Sequence, residues 1–199
     1  MWCCSTAHAQ VQGTVEEQGF VLEATDGSVK IYVRPEDNDD LSIRVTAPAA
    51  ASVAEVVAVL NDVPNYPSWV HRCERAYVVD GGQPDAFTYY SLINLPFPFS
   101  DREVVAAIEQ GMDARTGVFR RTISSRPDAV PRTRAERIET YEALWLVTPD
   151  ERAGSTVSCT VRTSAGGGLP EWLRREIMTS GPAKTVNNLL RRLAAGVDE

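Results

Sequence analysis

The segment Ala86–Gln110, AFTYYSLINLPFPFSDREVVAAIEQ, restricts the fold more than any other part of the chain. It reads as two strands joined by a Pro-Phe-Pro-Phe corner, and the second strand opens on an arginine. Successive side chains of a strand face opposite ways. Arg102 is therefore in phase with Val104, Ala106 and Ile108, whereas Glu103 and Glu109 fall in the other phase. Taking the glutamates as the wet face turns Arg102 inward. A buried charge needs a partner or a purpose, and a polar point in an apolar interior is the make-up of a ligand cavity.

The flanking sequence supplies the rest of a fold. Residues 29–35 (VKIYVRP) and 41–48 (LSIRVTAP) alternate as a hairpin around the acidic turn 35–40. Residues 13–24 are predicted helical, with Thr14 as N-cap and Glu17 completing a capping box. Residues 50–60 change period, placing Val53, Val56, Val57 and Leu60 on one helical face behind Ser52 as N-cap. Pro64 and Pro67 bound a further short helical turn. Alternating runs then follow at 72–79, 86–94, 102–110, 117–125, 136–147 and 154–164, with Gly and Pro turns between them, which describes an antiparallel meander. After Gly166–Gly168 the last element is a long amphipathic helix carrying Leu173, Ile177, Val186, Leu189 and Leu193, with a kink or break expected at Gly181-Pro182. This order predicts an α+β fold, a curved antiparallel sheet wrapped around a C-terminal helix, with a cavity between the two.

A chain of 199 residues suits one domain at 13–197 and buries enough surface to fold without staples. Its net charge of −7 makes it a poor partner for nucleic acid. No apolar run reaches the length that spans a bilayer. Ala7-His8-Ala9 before Gln10 has the small-residue pattern of a secretory cleavage site, but no basic or adequately apolar stretch precedes it. Residues 1–12 are thus either the end of a truncated signal peptide, which places the protein in the periplasm or outside the cell, or a tail on a cytoplasmic one. Cys73 and Cys159 fall in strand-like runs and read as small buried side chains. With His8 and His71 the only histidines and no C-x-x-C, no metal site is expected, and no cofactor.

Several stretches together resemble the bacterial form of the START (steroidogenic acute regulatory protein-related lipid transfer) domain. They are DGSVKIYVR (26–34), NYPSWV (65–70), YYSLINLPFPFSDRE (89–103), RIETYEALWLVTP (137–149) and GGGLPEWLRREIMTSGPAKTVNNLLRRL (166–193). The family writes the corner as Pro-Trp-Pro followed by Arg-Asp; here Phe97 stands for the Trp and Glu103 for the Asp. The resemblance implies a helix-grip fold that binds one lipid or sterol-like molecule without catalysis, as a bacterial carrier or sensor and a monomer in transient membrane contact. It implies that Arg102 lies in the pocket and pairs with an upstream acid, for which Asp85 is the nearest candidate. The other expected contacts are Tyr90, Leu92, Val104 and Trp145 on the strands, with Leu173 and Ile177 on the last helix. A rival class uses the same fold. Polyketide aromatases and cyclases would need an acid or base beside Arg102, such as Tyr90, Asp85 or His71.

Overall fold

A computed structural model describes residues 18–36, 41–151, 154–164 and 168–196. The N-terminal cleavage pattern, Cys3, Cys4, the Thr14 capping box, most of the acidic turn 35–40 and Gly166-Gly167 lie outside the described residues.

The chain order is β1 (Val21–Asp26), β2 (Val29–Pro35), β3 (Leu41–Ala49), α1 (Val53–Asn61), a 3-10 turn (Val63–Ser68), then β4 (Cys73–Gln83), β5 (Ala86–Ile93), β6 (Arg102–Met112) and β7 (Phe119–Ser125). A two-residue β8 (Glu136–Arg137), β9 (Tyr141–Asp150) and β10 (Gly154–Thr163) complete the strands. The C-terminal helical element is α2 (Glu171–Arg175), a π-turn (Glu176–Ser180) and α3 (Gly181–Ala195). The strands form one sheet in the order β1-β2-β3-β10-β9-β7-β6-β5-β4, antiparallel throughout except for β8, which pairs with β6 in parallel. The α+β helix-grip architecture read from the sequence is the one observed.

Two boundaries differ from the sequence reading. The predicted helix at 13–24 gives way to β1, whose residues pair with β2 from Val21↔Val33 to Asp26↔Val29. The Asp26-Gly27 turn closes this hairpin, and Gly27 takes the positive φ of 59° that the tight turn needs. Val21 and Leu22, which belong to this strand, are both exposed. The predicted run 136–147 is also two pieces. Glu136–Arg137 bridges to β6, and β9 begins four residues later between β7 and β10.

Local chemistry accounts for the helices. Ser52 caps α1 by accepting from the Glu55 N–H while Glu55 accepts from the Ser52 N–H, a complete capping box. Pro182 has no N–H for the helix ladder and its ring crowds the preceding turn. The chain widens there into the π-turn, where the Gly181 N–H reaches the Glu176 carbonyl. Ala183, Val186, Leu189 and Leu193 of α3 are buried against the sheet and α1, in one core with Val45, Val56, Val147 and Val157.

Candidate functional site

Between the concave face of the sheet and the C-terminal helix lies a cavity with about 160 Å³ open to the centres of water molecules. One water needs roughly 10–15 Å³ on that measure, so this is a ligand-sized space and not a packing fault. Every second residue of the covering strands lines it: Tyr89, Ser91 and Ile93 from β5, Arg102 and Val104 from β6, Arg121 and Ile123 from β7. Tyr141 and Trp145 of β9 and Cys159 and Val161 of β10 continue the wall. Ile177, Gly181, Pro182 and Thr185 close it from the helical side, across the junction of the π-turn and α3.

Arg102 is buried, as its phase requires. Its carboxylate is Glu136, at 3.1 Å, and its Nη1 also donates to the Ser100 carbonyl at 2.7 Å. Glu136 arrives there because β8 pairs in register with β6, Arg102 opposite Glu136 and Glu103 opposite Arg137. The proposed partner Asp85 is instead in the β4–β5 turn, where its carbonyl accepts from the Gln110 N–H at the far end of the strand pair. It does not pair with Arg102.

The expectation that Glu103 marks a wet face is also corrected. Glu103 is fully buried on the convex side, under the segment 126–137. It pairs with Arg137 at 2.9 Å and accepts from the Thr133 hydroxyl at 2.8 Å and the Tyr90 hydroxyl at 3.1 Å. Arg137 in turn donates to the Pro127, Val130 and Pro131 carbonyls. Burial alone would raise the Glu103 pKa, but these hydrogen bonds outweigh it and hold the carboxyl below its ordinary value.

Of the residues expected to touch ligand, Arg102, Val104, Trp145 and Ile177 line the cavity. Tyr90 and Leu92 do not, for a reason of register. Directly opposed residues of an antiparallel pair share a face, and Tyr90 opposes Val105 while Leu92 opposes Glu103. Both therefore face the convex side, where Tyr90 stacks on Tyr77. The cavity-facing residues of β5 are their neighbours Tyr89, Ser91 and Ile93. Leu173 is fully buried yet is not part of the wall, and Trp172 is largely exposed, edge-on to Phe99.

The sequence reading missed Arg121, the largest fully buried side chain among the described residues. It lies in phase with Phe119 and Ile123, so the alternation that placed Arg102 applies to it equally. Its guanidinium donates to the Leu60 carbonyl at 2.6 Å, the Tyr66 hydroxyl at 3.2 Å, and the side chains of Asn61 and Gln110. It thereby caps the C-terminal end of α1, which has no basic residue of its own in its last turn.

Beside it stand Tyr89 and Tyr141, both wall residues, and burial pushes both hydroxyls well above the ordinary tyrosine pKa. Burial likewise raises the Cys159 thiol. His71 is displaced downward, first by burial and then by Lys184 and Arg72; its Nε2 stands 3.9 Å from Glu176 of the π-turn. Arg72 and Lys184 reach the same carboxylate at 3.1 and 3.2 Å. Cys73 and Cys159 are buried free thiols. Among the described residues no cluster of His, Cys, Asp or Glu could hold a metal ion, and no helix is long and apolar enough to cross a membrane.

The family model described as "polyketide cyclase / dehydrase and lipid transport" matches residues 40–198. Among solved structures, a STAR-related lipid transfer protein from Xanthomonas axonopodis is 23% identical, with TM-score 0.80, over 88% of this chain and 99% of that one. Human StAR-related lipid transfer protein 5 is 13% identical, with TM-score 0.77, over 94% and 90% of the two chains. The Zhui aromatase/cyclase of a Streptomyces species is 17% identical, with TM-score 0.53, over 78% and 94%. At these identities the likenesses establish the START-type helix-grip fold.

Proposed function

We propose, for a chain that belongs to the polyketide cyclase/dehydrase and lipid transport family, that it binds one hydrophobic molecule in the cavity and carries it without transforming it. The observation that carries this reading is the cavity, walled by alternate side chains of five strands and closed by the π-turn and α3. Burying apolar surface at about 25 cal/mol per Å² is enough to draw a lipid tail from water with no chemistry done. Arg102, fixed by Glu136 and Ser100, orients the ligand; Val104, Trp145 and Ile177 enclose it. The lipid-transfer names of the Xanthomonas and human proteins support the same reading.

Carriage between membranes also needs a docking point. Phe97 at the β5–β6 corner is 97% exposed, and Phe99 packs edge-on to the exposed Trp172 of α2. Aromatic side chains of this kind settle at a membrane–water interface, beside Arg174 and Arg175, which suit anionic head groups.

The cyclase reading needs a group in the wall that trades a proton near neutrality. Tyr89 and Tyr141 are held protonated by burial, and His71, displaced downward first by burial, stands 3.9 Å from Glu176 in the ion-pair cluster with the helix. This favours carriage. Native mass spectrometry of the protein isolated from its own cells tests it. A bound lipid, exchanged into labelled vesicles with unaltered mass, is expected; an empty protein that extracts nothing from vesicles rejects the reading.

We also propose that the protein acts outside the cytoplasm, on the strength of Ala7-His8-Ala9. N-terminal sequencing of the mature protein should begin near Gln10, and an intact Met1 would refute export by this route.

A further inference from the structure

The wall of the cavity differs in charge from the rest of the molecule. The chain carries a net charge of −7, yet Arg72, Arg102, Arg121 and His71 line the cavity and, among the described residues, no Asp or Glu does. Arg102 has Glu136 and Arg72 has Glu176. Arg121, 1% exposed, has no carboxylate within ion-pair distance among the described residues. Its acceptors are neutral: the Leu60 carbonyl, the Tyr66 hydroxyl and the Asn61 and Gln110 amides. The C-terminal end of α1 supplies about half a negative charge, so the cation is only partly compensated.

Side chains able to donate stand close to it in the wall. The Trp69 Nε1–H is buried without an acceptor, and Trp69 is a wall residue whose ring lies 5.2 Å from that of Tyr66. The Tyr66 ring is in turn 5.9 Å from that of Tyr89. Tyr89 and Tyr141 are both wall residues, and each hydroxyl, held protonated by burial, can donate to a group in the cavity. Tyr66 donates to the Leu60 carbonyl and accepts from Arg121, so its oxygen is already engaged on both counts.

A ligand hydroxyl entering this end would find partners but would supply no charge to offset Arg121. A carboxylate needs donors only, and supplies the missing charge. Building on the carrier reading, we infer that the ligand is an anionic amphiphile with a carboxylate head, seated between Trp69, the Tyr89–Tyr141 pair and Arg121, its tail running along Val104, Trp145 and Ile177. Arg121 acts through its field, because its own N–H groups are taken; Trp69 and the tyrosine pair make the contacts.

The test is a matched pair of fluorescent probes, cis-parinaric acid and its methyl ester, titrated at pH 8. The acid is expected to bind at least about tenfold more tightly, the size of one hydrogen bond to a charged group. That preference should fall to below about threefold in Arg121→Met and in a Trp69→Phe/Tyr89→Phe/Tyr141→Phe triple variant. The triple variant keeps the hydrogen-bond partners of Arg121 intact, so it reads the head-group site even if Arg121→Met does not fold; circular dichroism checks each fold. Equal binding of acid and ester by the wild type overturns the anionic head and leaves the carrier reading standing. Binding of neither probe overturns the carrier reading, and this inference with it. Retention of the full preference in the folded triple variant overturns the placement of the head.

Discussion

The two faces of β6 carry the same chemistry to opposite ends. On the concave face Arg102 meets Glu136, whose carboxylate is partly exposed, and the guanidinium lines a cavity. On the convex face Glu103 meets Arg137 with both side chains fully buried and every neighbour engaged. One two-residue strand serves both, because Glu136 and Arg137 present the reversed charge order to Arg102 and Glu103 in register. The convex cluster is closed: its charges satisfy each other and tie the segment 126–137 to the sheet. The concave wall is open, with Arg121 left on neutral acceptors. A closed set of buried charges fixes structure, and an incompletely compensated one marks where something else binds.

The largest effect should come from breaking the closed side. Glu103→Ala leaves Arg137 buried without a counter-charge and should cost about 3–5 kcal/mol by urea unfolding. Glu103→Leu with Arg137→Met should recover most of that loss, since a buried pair replaced by apolar groups of similar size is often near neutral. A single-variant cost below about 1 kcal/mol would mean that the pair is not closed off from water.

Arg121→Met comes next, at about 1–3 kcal/mol, because it leaves the Leu60 carbonyl and the Asn61 and Gln110 amides short of donors but removes no paired charge. A cost equal to that of Glu103→Ala would erase the distinction between the two faces.

Acid sharpens it further. The Glu103 pKa is held below 4.5, so the unfolded chain takes up protons first as pH falls. The stability that Glu103 contributes is fully present above that value and is lost as pH drops through the folded pKa. Urea midpoints from pH 6 to 3 should show this loss in the wild type and in Arg121→Met alike, and a smaller loss in the Glu103→Leu/Arg137→Met protein. The smallest change in stability, below about 0.5 kcal/mol, is expected for Phe97→Ser, because that side chain touches little. Its effect should appear as slower lipid transfer between vesicles, with binding in solution unaltered.

The legible parts of the fold were those set by local period. Alternation turned Arg102 inward, the Ser52 cap placed α1, and Gly181-Pro182 marked the departure from regular helix next to the π-turn. What escaped depends on distant chain. Alternation says that Glu103 faces away from Arg102; it cannot say that the segment 126–137 folds over that face. Tyr90 and Leu92 could be assigned a side only once the β5–β6 register was known. The acid opposite Arg102 was sought on the preceding strand, whereas Glu136 lies beyond β7 and pairs through a strand too short to announce itself. Arg121 was readable by the rule used for Arg102, since it alternates in phase with Phe119 and Ile123.

The central claim, that the concave face receives the ligand, is tested most directly by photo-crosslinking with a diazirine-bearing palmitic acid, followed by peptide mapping. The account predicts label on the cavity wall, at Ile177–Thr185 and on β5, β6 and β9 at Ile93, Val104 and Trp145. Label concentrated around Tyr77, Tyr90 and the segment 126–137, with the cavity wall unmodified, would contradict it.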